Sequence, residues 1–417
     1  MHSLKELYKI GNGPSSSHTM GPKNAVLNFK NKNKNATKFK VVLYGSLALT
    51  GVGHLTDKVI KDTLKDYETE IIFDKTTKCN VHPNTLDIIA YKNDEILNQE
   101  RVYSVGGGSY KIEGEEDIEC QEIYQESSYK EIAELCKIKK ISLYDYILSK
   151  EDEDIEKYLL DIWESMKSTI NRGLKESGVI PGRLQIKRIA KTLYNKEIKN
   201  ESEVLKQSRL VSSYAYATIE ENACGGIIVT APTCGSCGVL PAVLYYNQEK
   251  YNLSNQDIIE TLAVAGLIGN LVKTNASISG AKCGCQAEIG TACSMAAAAI
   301  TYLSDKDPKK IESAAEIAME HFLGLTCDPI YGYVQIPCIE RNAIAAMKAI
   351  DSSNLAILLE EKNKKISFDL AVETMYETGL DLSSHYKETS EGGLAKKYCR
   401  NKFYNEEIEK NSIVENV

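Results

Sequence analysis

Two textures meet near residue 130, and the change between them constrains the fold more than any other feature of this chain. On the N-terminal side, KVVLYGSL (residues 40–47), Glu70–Phe73, Thr85–Tyr91 and Arg101–Val105 read as strands rich in β-branched residues. Lys23–Leu27 and Asp57–Lys65 read as helices between them, which makes this part α+β. From about Ile132 the pattern turns helical. Ile155–Gly173 with Trp163, Asp257–Val272, Glu288–Leu303, Lys310–Leu323, Glu340–Ile350 and Phe368–Thr378 all carry apolar residues at helical spacing. Runs such as Ala296–Ala299 and Ala343–Ala346 predict helices packed close together. The acidic, polar segment 113–128 is the best linker between the two textures. The reading is therefore an α+β domain over residues 1–130, an all-α domain over 131–400, and an extension over 401–417. The Lys/Asn-rich stretch from Asn28 to Lys40 reads as a solvated loop.

The charge balance, 50 basic against 58 acidic residues, gives a formal −8 and offers no positive field for nucleic acid or anionic lipid. The longest uncharged stretch, Asn222–Gln248, is long enough to span a bilayer. Pro232, Pro241 and four glycines mark it instead as a looped segment buried in protein. The first residues, MHSLKELYKIGNG, lack a secretory core and cleavage site, so a cytoplasmic location and no membrane partner are expected.

The chain has 12 cysteines, and those from Cys224 to Cys338 crowd the middle. In a reducing compartment they point to metal ligands, catalytic thiols or buried packing residues rather than disulfides. Cys234 and Cys237 form a C-x-x-C, but neither a thioredoxin-like setting nor a second C-x-x-C accompanies it; Cys283 and Cys285 make only a C-x-C. Cys285, Cys327 and Cys338 each lie at a break beside a helical run. They do not form a compact iron–sulfur fingerprint, and spacing alone leaves open whether they converge.

Three further segments carry histidine. GNGPSSSHTMGP (residues 11–22) sets Ser15, Ser16 and Ser17 before His18 between Gly-Pro breaks. Such a turn either binds an anion or caps a helix start. YGSLALTGVGHLTD (residues 44–57) puts His54, Thr56 and Asp57 on a Gly-rich loop after a strand. His82, in NVHPNT, sits beside a proline in a turn, where a structural role is the default.

Taken together these segments resemble the single-chain iron–sulfur-dependent L-serine dehydratases (L-serine ammonia-lyases) of bacteria. The resemblance runs in one order from GPSSSHTMGP through YGSLALTGVGH, SVGGG, TAPT, NASISGA, GCQAEIGTACSMAAA, GLTCDP, VQIPCIERNA and VETMYETG to ETSEGGLA, about residues 1–399. It implies an N-terminal substrate-binding-type domain, an all-α cluster-binding catalytic domain, and an active site where they meet. It implies a [4Fe–4S] cluster on Cys285, Cys327 and Cys338, with no pyridoxal phosphate. The implied reaction is dehydration of L-serine to pyruvate and ammonia, a step of amino-acid degradation and gluconeogenesis. His18 and His54 are the candidate base and acid, in an order that stays open. Ser15, Ser16, Ser17, Thr56, His82, Thr233 and Asn275 are the expected substrate contacts. Arg341 either binds a carboxylate or pairs with an acid. Cys399, after GGLA, is a possible fourth cluster ligand, Cys237 is a buried or site-adjacent thiol, and Cys224, Cys234, Cys283 and Cys293 revert to packing residues or redox bystanders. A lyase for L-threonine or L-cysteine and a non-catalytic iron–sulfur or zinc sensor are the alternatives. A homodimer is the default assembly.

Overall fold

The computed structural model describes residues 1–115, 121–360, 364–389 and 392–401. Cys120, the middle of the acidic segment 113–128 and all but the first residue of the 401–417 extension lie outside the described residues. The fold is an N-terminal α/β region with a mixed sheet, followed by a largely helical part.

A short strand, Ile10–Asn12 (β1), precedes the sheet, which comprises Lys38–Tyr44 (β2), Glu68–Asp74 (β3), Thr85–Lys92 (β4), Glu95–Gly106 (β5) and Ser109–Ile112 (β6). Their order is β3-β2-β4-β5-β6; β2 and β3 run parallel and the other neighbours antiparallel. The alternation in β2 does what a period of two requires. Phe39, Val41 and Leu43 face inward beside Leu86, Ile88 and Ala90 of β4. Helix Gly21–Lys32 covers this face with Ala25, Val26 and Phe29. Asp87 is buried too, but Arg101 grips it through Nε and Nη2 at 2.7 and 2.8 Å, and the Tyr44 hydroxyl adds a bond at 2.9 Å. A buried carboxylate satisfied in this way does not destabilise the sheet.

Three local expectations are corrected here. The strand expected over residues 40–47 ends at Tyr44, because Gly45 adopts φ +52° and turns the chain into helix Gly45–Thr50. The Asn28–Lys40 stretch is not a loop throughout. Phe29 and Phe39 are buried, so they hold the end of one helix and the start of β2 around a short turn. The back half of Asn222–Gln248 is helix Val239–Tyr251 rather than loop, following the strand Ile227–Val229 (β7).

The helical part is built around helices Asn255–Asn275 and Thr291–Ser304. Ala296, Ala297, Ala298 and Ala299 are fully buried, so neighbouring helices approach on small side chains and the central helix is buried along nearly its whole length. The first residues of the chain belong to this core. Met1, Leu4, Leu7 and Tyr8 are buried in it, and the Tyr8 hydroxyl donates to the Leu262 carbonyl at 2.9 Å. Strand β1 then pairs antiparallel with β7, Ile10 opposite Val229 and Asn12 opposite Ile227. The chain thus leaves the helical core, builds the sheet, and returns. No described helix is long and apolar enough to cross a membrane.

Candidate active site: a histidine turn and a buried thiol group

Immediately after β1 the chain forms a π-helical turn, Ser16–Met20, that opens helix Gly21–Lys32. The widened turn shows in the Met20 N–H, which donates to the Ser15 carbonyl at 3.1 Å. Gly13 is needed just before it, since a methyl there would sit 2.1 Å from Asn222 Oδ1. Ser15 caps the turn by accepting from the His18 N–H at 3.2 Å. The helix-cap alternative is thus present, and the turn also gathers hydroxyls around a histidine.

The His18 ring lies between two hydroxyls, Ser17 Oγ at 2.9 Å from Nδ1 and Ser46 Oγ at 2.9 Å from Nε2. His54 stacks beside it with ring centroids 4.6 Å apart, and its Nδ1 is 3.1 Å from the Thr50 carbonyl. Two hydroxyls lock the turns together: Thr56 donates to the His18 carbonyl and Thr19 to the His54 carbonyl, each at 2.7 Å. Burial holds both imidazoles neutral. It lowers His18 to about 3, with the neighbouring His54 adding to the effect. It lowers His54 to about 4, against a small opposing pull from the Thr50 carbonyl.

In the helical part three breaks in helix bring cysteines inward. Cys285 precedes a second π-helical turn, Gln286–Gly290, which opens helix Thr291–Ser304. Cys327 lies in the loop before it is tied to the 383–389 segment by its N–H to the Tyr386 carbonyl, 2.8 Å. Cys338 starts helix Cys338–Leu358. All three are buried. The sulfurs of Cys285 and Cys327 and a carboxylate oxygen of Glu288 lie within 4.8 Å of one another. Cys338 faces the same group: burial, and then the neighbouring Cys285, push its thiol well up. The Cys327 thiol is also pushed well up, by its hydrogen bond to Cys285 and then by burial.

Other groups complete this pocket. Thr233 donates to Glu288 Oε1 at 2.7 Å. Gly280 keeps the space open, since a methyl there would meet Glu288 Oε2 at 2.6 Å and Cys327 Sγ at 3.2 Å. Burial works against the Arg341 charge, but Cys285, Cys338 and Asp328 outweigh it and hold the guanidinium protonated. Arg341 donates to the Thr326 carbonyl at 2.7 Å and lies 3.6 Å from Asp328, so its acid is Asp328 rather than Glu340. Glu388 lines the pocket from the 383–389 segment. Its outer atoms are exposed, and the protein walls around it, then the Glu288 charge, push its carboxyl above the usual carboxylate range.

The two halves touch. Met20, two residues from His18, shares one buried cluster with Ile339, next to Cys338, and with Cys234 and Cys237. The loop before His54 rests on Tyr333, between Cys327 and Cys338; a methyl on Gly53 would lie 3.1 Å from its ring. Cys234 and Cys237 are packing residues, as is Cys293, whose thiol donates to the Ala345 carbonyl at 3.3 Å. His82 is half-buried, with Nδ1 accepting from the Asn84 N–H at 3.0 Å and its ring 6.4 Å from that of Tyr103. Asn275 is exposed and donates to the Ser127 carbonyl at 2.6 Å, so the structure does not bring it to either half. Cys399 lies in the helical residues 393–401 and contacts Tyr331, outside the Cys285–Glu288–Cys327 group.

Ser46, Glu288 and Glu388 are site residues that sequence reasoning missed. Ser46 looked like the tail of a strand and Glu288 like the first turn of an amphipathic helix. The signal for Glu288 was its position amid GCQAEIG, small residues that leave a carboxylate no exposed helix face.

Comparison with known proteins completes the picture. The family model for the serine dehydratase beta chain matches residues 3–67, and that for the alpha chain matches residues 59–395. L-serine dehydratase 2 of Escherichia coli (strain K12) is 39% identical over 451 residues, covering 95% of this chain and 99% of the relative. The L-serine dehydratase of Helicobacter pylori (strain ATCC 700392 / 26695) is 39% identical, covering 94% of this chain and 98% of its own. That of Streptomyces coelicolor is 37% identical, again with 94% and 98% covered. With family models matching most of its length and relatives aligned nearly end to end, this chain belongs to the serine dehydratase family.

Proposed function

We propose that the protein is an L-serine ammonia-lyase that carries a [4Fe–4S] cluster on Cys285, Cys327 and Cys338 and converts L-serine to pyruvate and ammonia. The observation that carries this reading is the convergence of three buried cysteines from distant breaks in helix, beside a histidine turn, in a chain of this family. The donor set fits the group: soft sulfurs suit iron, and the glycine at 280 leaves room beside Cys327 and Glu288. Their raised thiol pKa values fit too, because burial opposes bare thiolates and a bound cation removes that cost.

A cluster held by three thiolates supplies an iron with an open position, a Lewis acid for an oxygen ligand. The protein's own groups do the rest. A neutral imidazole at His18 or His54 would take the proton from carbon, and the imidazolium so formed would be able to give one to the departing hydroxyl. An incoming carboxylate offsets part of the burial cost of an imidazolium beside it, which brings their basicity back toward the working range. Ser17 and Ser46 fix the His18 ring, and Thr56 and Thr19 fix the backbone that carries each histidine. Ser15 and Ser16 are the remaining hydroxyls of the turn, placed for a carboxylate. Thr233 reaches the thiol side through Glu288. Cys399 stays a proposed protective ligand for the open iron, requiring its helix to shift from Tyr331.

The test is anaerobic reconstitution with iron and sulfide, followed by pyruvate release from L-serine, with L-threonine and L-cysteine in parallel. Pyruvate from L-serine that scales with bound iron supports the reading. A protein that binds no iron, or that turns over serine without it, overturns the mechanism.

A further inference from the structure

Glu288 stands out among the groups facing the thiols. Its Oε1 accepts from Thr233 at 2.7 Å, while its Oε2 has no protein donor among the described residues. Gly235 and Gly280 flank the carboxylate, and a methyl on either would come to 3.2 Å from Oε1 or 2.6 Å from Oε2. Space is therefore kept open at this carboxylate. Glu388 lies beside this group, its N–H donating to the Cys327 carbonyl at 2.8 Å, and neither glutamate forms an ion pair among the described residues. Among the described residues Arg341 is the cation acting on Glu288, and it is shared: it donates to the Thr326 carbonyl, lies 3.6 Å from Asp328 and also reaches Cys285 and Cys338. Three thiols and two carboxylates thus converge with a deficit of positive charge.

From this we infer that Glu288, oriented by Thr233 and backed by Glu388, binds the α-ammonium group of the amino-acid substrate and is the main source of preference for amino acids over plain hydroxy acids. The inference rests on the proposed lyase reading and deepens it. On the proposed reading each part of a zwitterion has a candidate partner. Hydroxyls of the histidine turn stand ready for the carboxylate, the thiol side takes the hydroxyl, and a carboxylate with an open oxygen lies beside the thiols for the ammonium. Charge-assisted hydrogen bonds to an ammonium are the strong kind. Here the partner also removes the repulsion between the two glutamates.

L-serine and 3-hydroxypropanoate differ only in that the second lacks the α-ammonium. Binding of each to the reconstituted, cluster-bearing protein is measured by calorimetry under argon, with iron content and melting temperature recorded for every variant. The parent is expected to prefer L-serine. Glu288→Gln is expected to weaken L-serine by about 10–100-fold, leaving 3-hydroxypropanoate within about twofold and the iron content unchanged. Glu288→Asp, which keeps the charge, is expected to retain part of the preference. Equal affinity of the parent for the two compounds overturns the inference without any variant. So does equal weakening of both compounds in Glu288→Gln, or loss of iron in that variant, which would make Glu288 a ligand. A parent that holds iron and binds neither compound defeats the lyase reading itself, and this inference with it.

Discussion

The histidine half and the thiol half of the site differ in how complete they are. Around His18 and His54 both rings and both backbone carbonyls have partners, all within the protein. Around Cys285, Cys327 and Cys338 the groups oppose one another's charge: burial and the neighbouring Cys285 push the Cys327 and Cys338 thiols up, and the Glu288 charge adds to the rise at Glu388. The first half is a finished piece of architecture. The second is finished only by what binds there. A preorganised site should tolerate loss of the cofactor, whereas a frustrated one is stabilised by it.

The largest expected effect breaks the second half alone. Replacing Cys285, Cys327 or Cys338 by Ala should abolish both the visible iron–sulfur absorbance and pyruvate formation, with melting of the metal-free protein little changed. A Cys327→Ala protein that keeps its iron would refute the ligand assignment.

The next breaks the first half alone. His18→Ala and His54→Ala should each lower turnover by roughly 10²–10⁴-fold while iron content stays at the parental level. A variant that raises KM with kcat intact would move that histidine from proton transfer to binding.

A pH series sharpens the comparison through stability. His18 and His54 have folded values near 3 and 4, below the ordinary 6.5. Their depressed values mean that the unfolded chain takes up protons first. The full stability is present above pH 6.5 and is lost as the pH falls toward 4 and then 3. The slope is about 1.4 kcal/mol per pH unit for each histidine across that window. Denaturant melts of the metal-free protein from pH 7 to 4.5 should show it, and the double variant His18→Asn/His54→Gln should flatten it. An unchanged slope in the double variant would assign the acid sensitivity elsewhere.

The smallest effect belongs to a cysteine in neither set. Cys234 packs with Met20 and Ile339. Cys234→Ala should cost about 1 kcal/mol of stability and leave iron content and turnover at parental levels. Loss of iron would reopen the C-x-x-C as a metal site.

How much of this was legible follows from the range of the interactions. Strand β2 and the Ala-rich helices were readable because burial imposes periods that local sequence displays. The docking of Met1, Leu4, Leu7 and Tyr8 in the helical core was not, because four apolar residues show no usable period and the helix that receives Leu4, Leu7 and Tyr8, Asn255–Asn275, lies more than two hundred positions away. The sequence motifs drew attention to His18, His54 and the three cysteines. They did not reveal Ser46 or Glu288, since a hydroxyl or carboxylate becomes a site residue only through the neighbour it meets in space. Asn275 shows the converse: its motif sits beside the site, yet its side chain ends at Ser127 on the surface.

Both reactive segments open their helices with a widened turn, Ser16–Met20 beneath His18 and Gln286–Gly290 after Cys285. A π turn is an α turn with one residue too many. Deleting that residue restores the regular pitch and rotates everything on the N-terminal side by about 100° around the helix axis. At the first turn this carries the serines away from the His18 ring; at the second it swings Cys285 away from Cys327. Each helix would keep its buried face and its place in the fold. A single residue in each turn therefore sets the aim of the candidate groups, and at the first turn the same residue also keeps β1 in register with β7.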